Sequence, residues 1–250
     1  MKTAAIIQAR MGSTRLPGKT NLPMYGTMSV LEFMVQRVKR ATEIDQIIIA
    51  TTDQIQDEVI RDAARKWDVE CYAGSEDDVL GRVYEAAYYF GVDTIVDLTG
   101  DCPFIDGNII DVAVKIFNLG RVDYVSNTLK RTFPDGLDVQ VYSIEALDVL
   151  HKIVTDPKAR DHTGWNVSRY PEIFMTKNWE ARGIMNWPEL GITLDTREDL
   201  EMMMKIIMWF SKQKKDPVEI SCFEIIQLLK KKPELITNES VMRKTPGQGE

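Results

Sequence analysis

A chain of 250 residues with 44% hydrophobic side chains can bury one large core, so intrinsic disorder is not the expectation. Its 31 basic and 38 acidic side chains leave a formal charge of −7, which argues against bulk electrostatic binding to nucleic acid or a membrane surface. Cys71, Cys102 and Cys222 are odd in number, far apart and without a CxxC spacing, so a reducing, cytoplasmic setting is expected in place of a disulfide framework or a zinc site. With only His151 and His162 present, any metal would be held mainly by carboxylates, the chemistry of magnesium or manganese.

Thr3 to Ala9 is a nearly continuous apolar run, the pattern of a first strand covered on both faces and not of a signal peptide. It runs into the Gly-rich, cationic stretch Arg10-Met11-Gly12-Ser13-Thr14-Arg15-Leu16-Pro17-Gly18-Lys19. Glycines let successive N–H groups face one anion and the cations supply charge, so this stretch reads as a phosphate loop. Helical spacing from Val30 to Ala41 and the apolar run Gln46 to Thr51 complete a β-α-β unit. The alternation continues with a helix over 55–67, a strand over 69–72, a helix over 79–90, a strand over 94–98, a helix near 107–117 and a strand over 123–125. Such a series predicts a mostly parallel sheet that binds ligands outside the carboxyl ends of its strands.

From Ser126 to about Leu190 the rhythm breaks: Pro134-Asp135-Gly136 marks a turn, Asp138 to Tyr142 alternates like an exposed antiparallel strand, and Trp165, Trp179 and Trp187 add apolar surface. This stretch is either an inserted lobe that shapes the acceptor side of the site or a dimer interface, or an irregular lobe packed on its own core. Ile192 to Leu194 predicts another strand, and Thr196 with Asp199 opens a helix whose buried stripe reads Leu200, Met203, Met204, Ile207 and Met208. A last helix is expected near 221–231, within a single domain over 1–238, followed by a polar tail over 239–250.

The loop departs from commoner phosphate motifs. Gly12 and Gly18 enclose five residues where a P-loop has four, Pro23 interrupts the helix that should follow Lys19, and no G-x-G-x-x-G succeeds the first strand. The run Gln8-Ala9-Arg10-Met11-Gly12-Ser13-Thr14-Arg15-Leu16-Pro17-Gly18-Lys19 instead resembles the first-strand motif of the sugar-activating cytidylyltransferases, the 3-deoxy-manno-octulosonate and acylneuraminate group, and within it the spore coat polysaccharide SpsF branch. Ala50-Thr51-Thr52-Asp53, Gly74 to Arg82, Thr99 to Ile105, Ser126-Asn127-Thr128 with Phe133 to Val139, and Gly191 to Leu200 resemble further family segments, so the likeness covers nearly the whole chain. Thr20 stands where the acylneuraminate enzymes tend to have Asn, and Arg160-Asp161-His162-Thr163 only approximates the branch's Arg-Glu-His-Val-Thr.

The resemblance implies a three-layer α/β/α nucleotide-diphospho-sugar transferase-like (GT-A-like) fold and a homodimeric enzyme that uses Mg²⁺ to transfer CMP from CTP to a sugar-acid-like acceptor for polysaccharide or glycan synthesis. It further implies that Ala9, Arg10, Gly12, Ser13, Arg15 and Lys19 hold the triphosphate, that Lys19 stabilises the leaving group and with Arg10 and Asp101 forms the catalytic set, and that Asp101 and Asp195 bind the metal. Arg82 is a candidate for nucleotide or acceptor contact, or for a surface salt bridge; Asp135, Asp138, Arg160 and His162 are candidates for the acceptor pocket. Use of another NTP or a phosphorylated acceptor, and a non-catalytic nucleotide-binding lobe, are the competing readings.

Overall fold

In β1 (Thr3–Gln8) the side chains divide by parity, Ala5 and Ile7 entering one core and Ala4 and Ile6 the other. A strand covered on both faces needs apolar residues at consecutive positions, which is why its sequence does not alternate. The computed structural model describes residues 1–238, so the polar tail expected from Glu239 lies outside the described residues.

After the loop, β2 (Pro23–Tyr25) and β3 (Met28–Ser29) pair antiparallel and lead into α1 (Val30–Val38). The alternation then runs β4 (Gln46–Thr52), α2 (Glu58–Lys66), β5 (Glu70–Gly74), α3 (Val79–Tyr89), β6 (Thr94–Thr99), α4 (Gly107–Leu119). Beyond it come β7 (Tyr124–Ser126), β8 (Gln140–Ser143), α5 (Ile144–Ile153), the short α6 (Pro157–Arg160), β9 (Thr176–Asn178), α7 (Arg197–Lys212) and α8 (Cys222–Lys231).

The principal sheet has the order β5-β4-β1-β6-β8-β7-β9. Strands β5, β4, β1 and β6 are mutually parallel, β8 runs antiparallel to both neighbours, and β9 is parallel to β7. Helices α1, α2, α4, α7 and α8 pack into the core on one face, while α3 and α5 cover the other. This is the three-layer, mostly parallel α/β architecture that the alternating pattern predicts. Serine, threonine and aspartate start the helices: Ser29 accepts from the Glu32 amide, and Thr196 with Asp199 and Ser221 with Glu224 form capping boxes. The three cysteines are unpaired, and among the described residues no helix is long and apolar enough to cross a membrane.

Three local expectations change. Val141 and Tyr142 of β8 are fully buried between β6 and β7, so the strand is antiparallel as expected but interior. Ile192 to Leu194 is buried without being a strand; it is held at single points, the Ile192 amide donating to the Asp135 carbonyl and the Leu194 amide to the Asp101 carbonyl. On α7 the buried stripe is Met202, Met203, Ile206, Ile207 and Phe210, whereas Met204 and Met208 face out. The buried stripe is therefore centred on Met203, Ile206 and Phe210, with Trp209 partly buried against the same core. Segment 126–190 lends β8 and β9 to the principal sheet and carries α5 and α6, so it is interleaved with the sheet. Beyond α8 the buried Asn238 side chain donates to the Gly191 carbonyl at 3.0 Å and to Asp199 Oδ1 at 2.5 Å.

Candidate functional site

Loop 9–19 leaves the carboxyl end of β1 and is fixed through the backbone of Met11. Asp57, fully buried just before α2, accepts the Met11 N–H at 2.7 Å and also binds the Thr51 and Thr52 hydroxyls at the end of β4. The Met11 carbonyl accepts the N–H groups of Ser13 at 2.9 Å and Gly18 at 3.0 Å, which closes a ring over residues 11–18. Gly18 adopts φ +69°, a left-handed geometry that suits glycine and lets the chain turn from the ring into the single 3-10 turn at Lys19–Asn21. The Thr20 hydroxyl donates to the Arg10 carbonyl at 3.4 Å.

Between this loop, the carboxyl ends of β1 and β6 and the start of α3 lies a cavity of about 260 Å³. The sequence candidates Ala9, Arg10, Gly12, Ser13, Arg15, Lys19, Arg82 and Asp101 all line it, as ligand binding at strand carboxyl ends predicts. Only Asp161 reaches its lining from segment 126–190.

At one end of the cavity Lys19 Nζ meets three oxygens: Leu194 O at 2.7 Å, Asp101 Oδ2 at 2.8 Å and Asp195 Oδ1 at 3.2 Å. Arg15 joins the cluster through a 2.9 Å ion pair to Asp195. The two aspartates, 94 residues apart in sequence (195 − 101), are thus brought to one point, because the Leu194 amide is tied to the Asp101 carbonyl at 2.8 Å. Burial works to lower the Lys19 ammonium, but the charges and hydrogen bonds of Asp101 and Asp195 outweigh it and raise its pKa. Burial works to raise Asp101, and Lys19 together with the Thr99 hydroxyl outweighs it, holding the carboxyl below its ordinary value.

Arg82 is buried, not a surface cation: its Nη1 donates to the Ser75 and Glu76 carbonyls, and its Nε is buried with no hydrogen-bond partner. Burial first, then repulsion from Arg10, lowers its pKa. A buried guanidinium N–H without a partner beside a cavity is a donor suited to an anionic or carbonyl ligand. Arg10 itself is half exposed and pairs with Glu76 at 3.5 Å.

None of the four acceptor-side candidates lines this cavity. Asp138 makes a two-point ion pair with Arg131 at 2.8 and 2.7 Å, and Asp135 pairs with the same arginine at 3.5 Å. Arg160 grips Asp78, the N-cap of α3, at 2.9 and 2.7 Å, and also donates to the His151 and Val154 carbonyls. His162 stacks edge-on against Trp165, and desolvation lowers its pKa against the attraction of Asp161. Gly136 at φ +105° lets this segment pass so close to Ile192 that an added Cβ would lie 2.5 Å from its backbone.

Sequence reasoning missed Asp57, Asp97, Asp161 and the Leu194 carbonyl. Asp97 is a carboxylate inside the apolar strand β6, a recognisable signal because an ionisable group there must be satisfied. It accepts hydrogen bonds from Gln8 Nε2, the Tyr142 hydroxyl, the Thr163 hydroxyl and the Gly164 amide, and burial raises its pKa.

Among the described residues no group of three or more His, Cys, Asp or Glu converges as a metal cluster. Two carboxylates and one carbonyl do converge, and this all-oxygen set fits Mg²⁺ or Mn²⁺, which complete their shells with phosphate and water.

Residues 4–161 match the profile of a family described as cytidylyltransferase. The spore coat polysaccharide biosynthesis protein SpsF of Bacillus subtilis is 30% identical over 93% of this chain and 95% of its own. A solved cytidylyltransferase from Leptospira borgpetersenii superposes with TM-score 0.88 at 33% identity, covering 97% of this chain and 100% of that one. A CMP:2-keto-3-deoxy-manno-octonic acid synthetase complexed with CTP shares the fold at TM-score 0.65 and 15% identity, over 84% of this chain and 100% of its own.

Proposed function

The chain belongs to the cytidylyltransferase family, and from that premise we propose that it transfers CMP from CTP to a hydroxyl of a sugar-acid-like acceptor, with Mg²⁺ and release of pyrophosphate, in polysaccharide or glycan synthesis. The single observation that carries this reading is the meeting of Lys19, Arg15, Asp101 and Asp195 at the end of the phosphate loop. In-line attack on the α-phosphorus builds negative charge on the departing pyrophosphate oxygens, so the protein's task is positioning and charge neutralisation. Amides around Gly12 and Ser13, with Arg10, Arg15 and Lys19, would hold the triphosphate, and Arg82 would donate its spare Nε to the bound nucleotide. Asp101, Asp195 and the Leu194 carbonyl would hold Mg²⁺, which when bound supplies charge neutralisation at the reacting phosphate.

The acceptor would lie against segment 126–190, where Asp161 faces the loop. In this reading Asp135 and Asp138 shape that wall through Arg131, and Arg160 shapes it through Asp78, with His162 beside Asp161. Residues 1–238 act as one domain, and two copies of the chain associate as a dimer through the same segment.

The test is pyrophosphate release from each NTP with Mg²⁺ against a panel of ulosonic acids, amino-ulosonic acids and sugar phosphates. Turnover with CTP and an acid acceptor is expected; turnover only with another NTP or only with phosphorylated acceptors would overturn the assignment, and tight CTP binding with no turnover would mark a binding lobe. Lys19→Ala is expected to lower kcat about 10²–10³-fold with the fold retained. Asp101→Ala is expected to abolish metal-dependent turnover, and near-normal rates in that variant would remove Asp101 from the site.

A further inference from the structure

Lys19 Nζ sits inside the cage of oxygens that the proposed function assigns to the divalent cation. Asp101 Oδ2, Asp195 Oδ1 and Leu194 O all lie 2.7–3.2 Å from it, and its side chain is only 13% exposed. One point cannot hold an ammonium and a divalent cation together: at such separations like charges repel strongly, and the three oxygens can converge on only one centre. The same lysine follows directly on the phosphate loop, at the start of the 3-10 turn beyond Gly18, and lines the cavity with Arg15.

We propose that Lys19 is a resident counter-ion of the metal site: without nucleotide it keeps Asp101 and Asp195 together and shuts out free divalent cations, and an incoming triphosphate draws it toward the phosphates and so opens the cage to the metal. This rests on the metal reading above and adds an order to it: the metal enters with, or after, the nucleotide. Three features support the exchange. The ammonium is unbranched on a four-carbon stem, so it can swing by rotamer changes while Gly18 and the Met11 ring hold the backbone. Leu194 O is fixed by the backbone link of its residue to Asp101, so the cage outlasts the departure of the lysine. Arg15, 46% exposed, stays paired with Asp195 and limits the repulsion between the two carboxylates during the exchange. A free divalent ion must displace an ammonium in contact with three oxygens, whereas a triphosphate offers that ammonium equivalent partners.

The test uses Mn²⁺ as the probe, with free and bound ion distinguished by electron paramagnetic resonance, in the absence of nucleotide. Lys19→Met and Lys19→Gln, checked for folding by circular dichroism and thermal melting, are expected to bind Mn²⁺ about tenfold or more tightly than the wild type. Adding Asp101→Asn to either variant is expected to erase the gain. Folded lysine variants that bind Mn²⁺ no better than the wild type would overturn the proposal, as would a gain that survives Asp101→Asn. Should both variants fail to fold, amine labelling of the wild type decides: Lys19 is expected to react faster when Mn²⁺ is raised to saturation, and unchanged labelling at saturation overturns the idea. The underlying metal reading fails separately, if Asp101→Asn retains metal-dependent pyrophosphate release.

Discussion

Met11 carries no charge, yet both of its backbone groups are committed, the N–H to Asp57 and the carbonyl to Ser13 and Gly18. The cations of the loop are therefore aimed by an uncharged residue and by a carboxylate that sits just before α2. Removing that carboxylate leaves the Met11 amide and the Thr51 and Thr52 hydroxyls without an acceptor in a dry interior. Asp57→Ala is expected to cost about 2–4 kcal/mol of stability, read as a drop in the denaturant midpoint, and to raise the KM for CTP more than it lowers kcat. An unchanged KM in a folded variant would separate Asp57 from the loop. The cations themselves were legible because Arg10, Arg15 and Lys19 are contiguous in sequence with their glycines. Asp57 was not, because its bond to Met11 spans 46 residues and a lone aspartate before a helix reads as an ordinary cap.

Helix α3 begins on Asp78, whose side chain accepts the Gly81 amide at 2.8 Å and is held by Arg160 from α6. The helix that carries Arg82 is thereby anchored to segment 126–190, and a change in either partner should move both. Partial burial works to raise Asp78, but the Arg160 and Gly81 hydrogen bonds outweigh it and leave its pKa below the ordinary value. A carboxyl depressed in this way contributes stability above its unfolded pKa and loses it as the pH falls through the folded one. Asp78→Ala is expected to cost about 1–2 kcal/mol at neutral pH, with the difference from wild type shrinking in acid; melting curves at several pH values measure it. A difference independent of pH would show that packing and not the charge is at stake. The Gly and hydrophobic spacing of α3 was readable, and its bounds of 79–89 fall within one residue of the expected 79–90. Arg160 was readable only as a cation near a family motif, because its partner lies 82 residues away. Ile192 to Leu194 misled for a related reason: burial and β-branched composition resemble a strand, but ladder pairing depends on neighbours that the run itself does not encode.

Across the whole molecule, the sheet's parallel half and its later strands are joined by a second buried carboxylate. Asp97 on β6 gathers Gln8 from β1, Tyr142 from β8 and the Thr163–Gly164 turn, so it holds the turn two residues beyond Asp161, which lines the cavity. Burial raises its pKa, and the sign is opposite to that of Asp78: a carboxyl whose folded pKa is raised favours the native state less as pH climbs from its unfolded to its folded value. Asp97→Asn should therefore flatten the decline in stability on that alkaline side, and it should speed amide exchange across 160–169 while leaving β4 and β5 as slow as in the wild type. Uniform acceleration would mean that the residue serves the entire core and not this junction. The parallel half was legible strand by strand, and β7 and β8 were legible as strands, whereas their places in the sheet order and the existence of β9 depend on long crossings that no local pattern announces.

The brace at Asn238 has a practical corollary. Its amide holds Asp199, and Asp199 in turn accepts the backbone N–H groups of Asp195 at 2.9 Å and Thr196 at 2.8 Å, so a residue seven positions beyond the end of α8 (238 − 231) helps to seat a carboxylate of the site. Anyone trimming this protein for crystallisation, or appending an affinity handle to it, should draw the boundary downstream of residue 238. A cut at the end of α8 would look harmless by helix content and would sever the prop under Asp195.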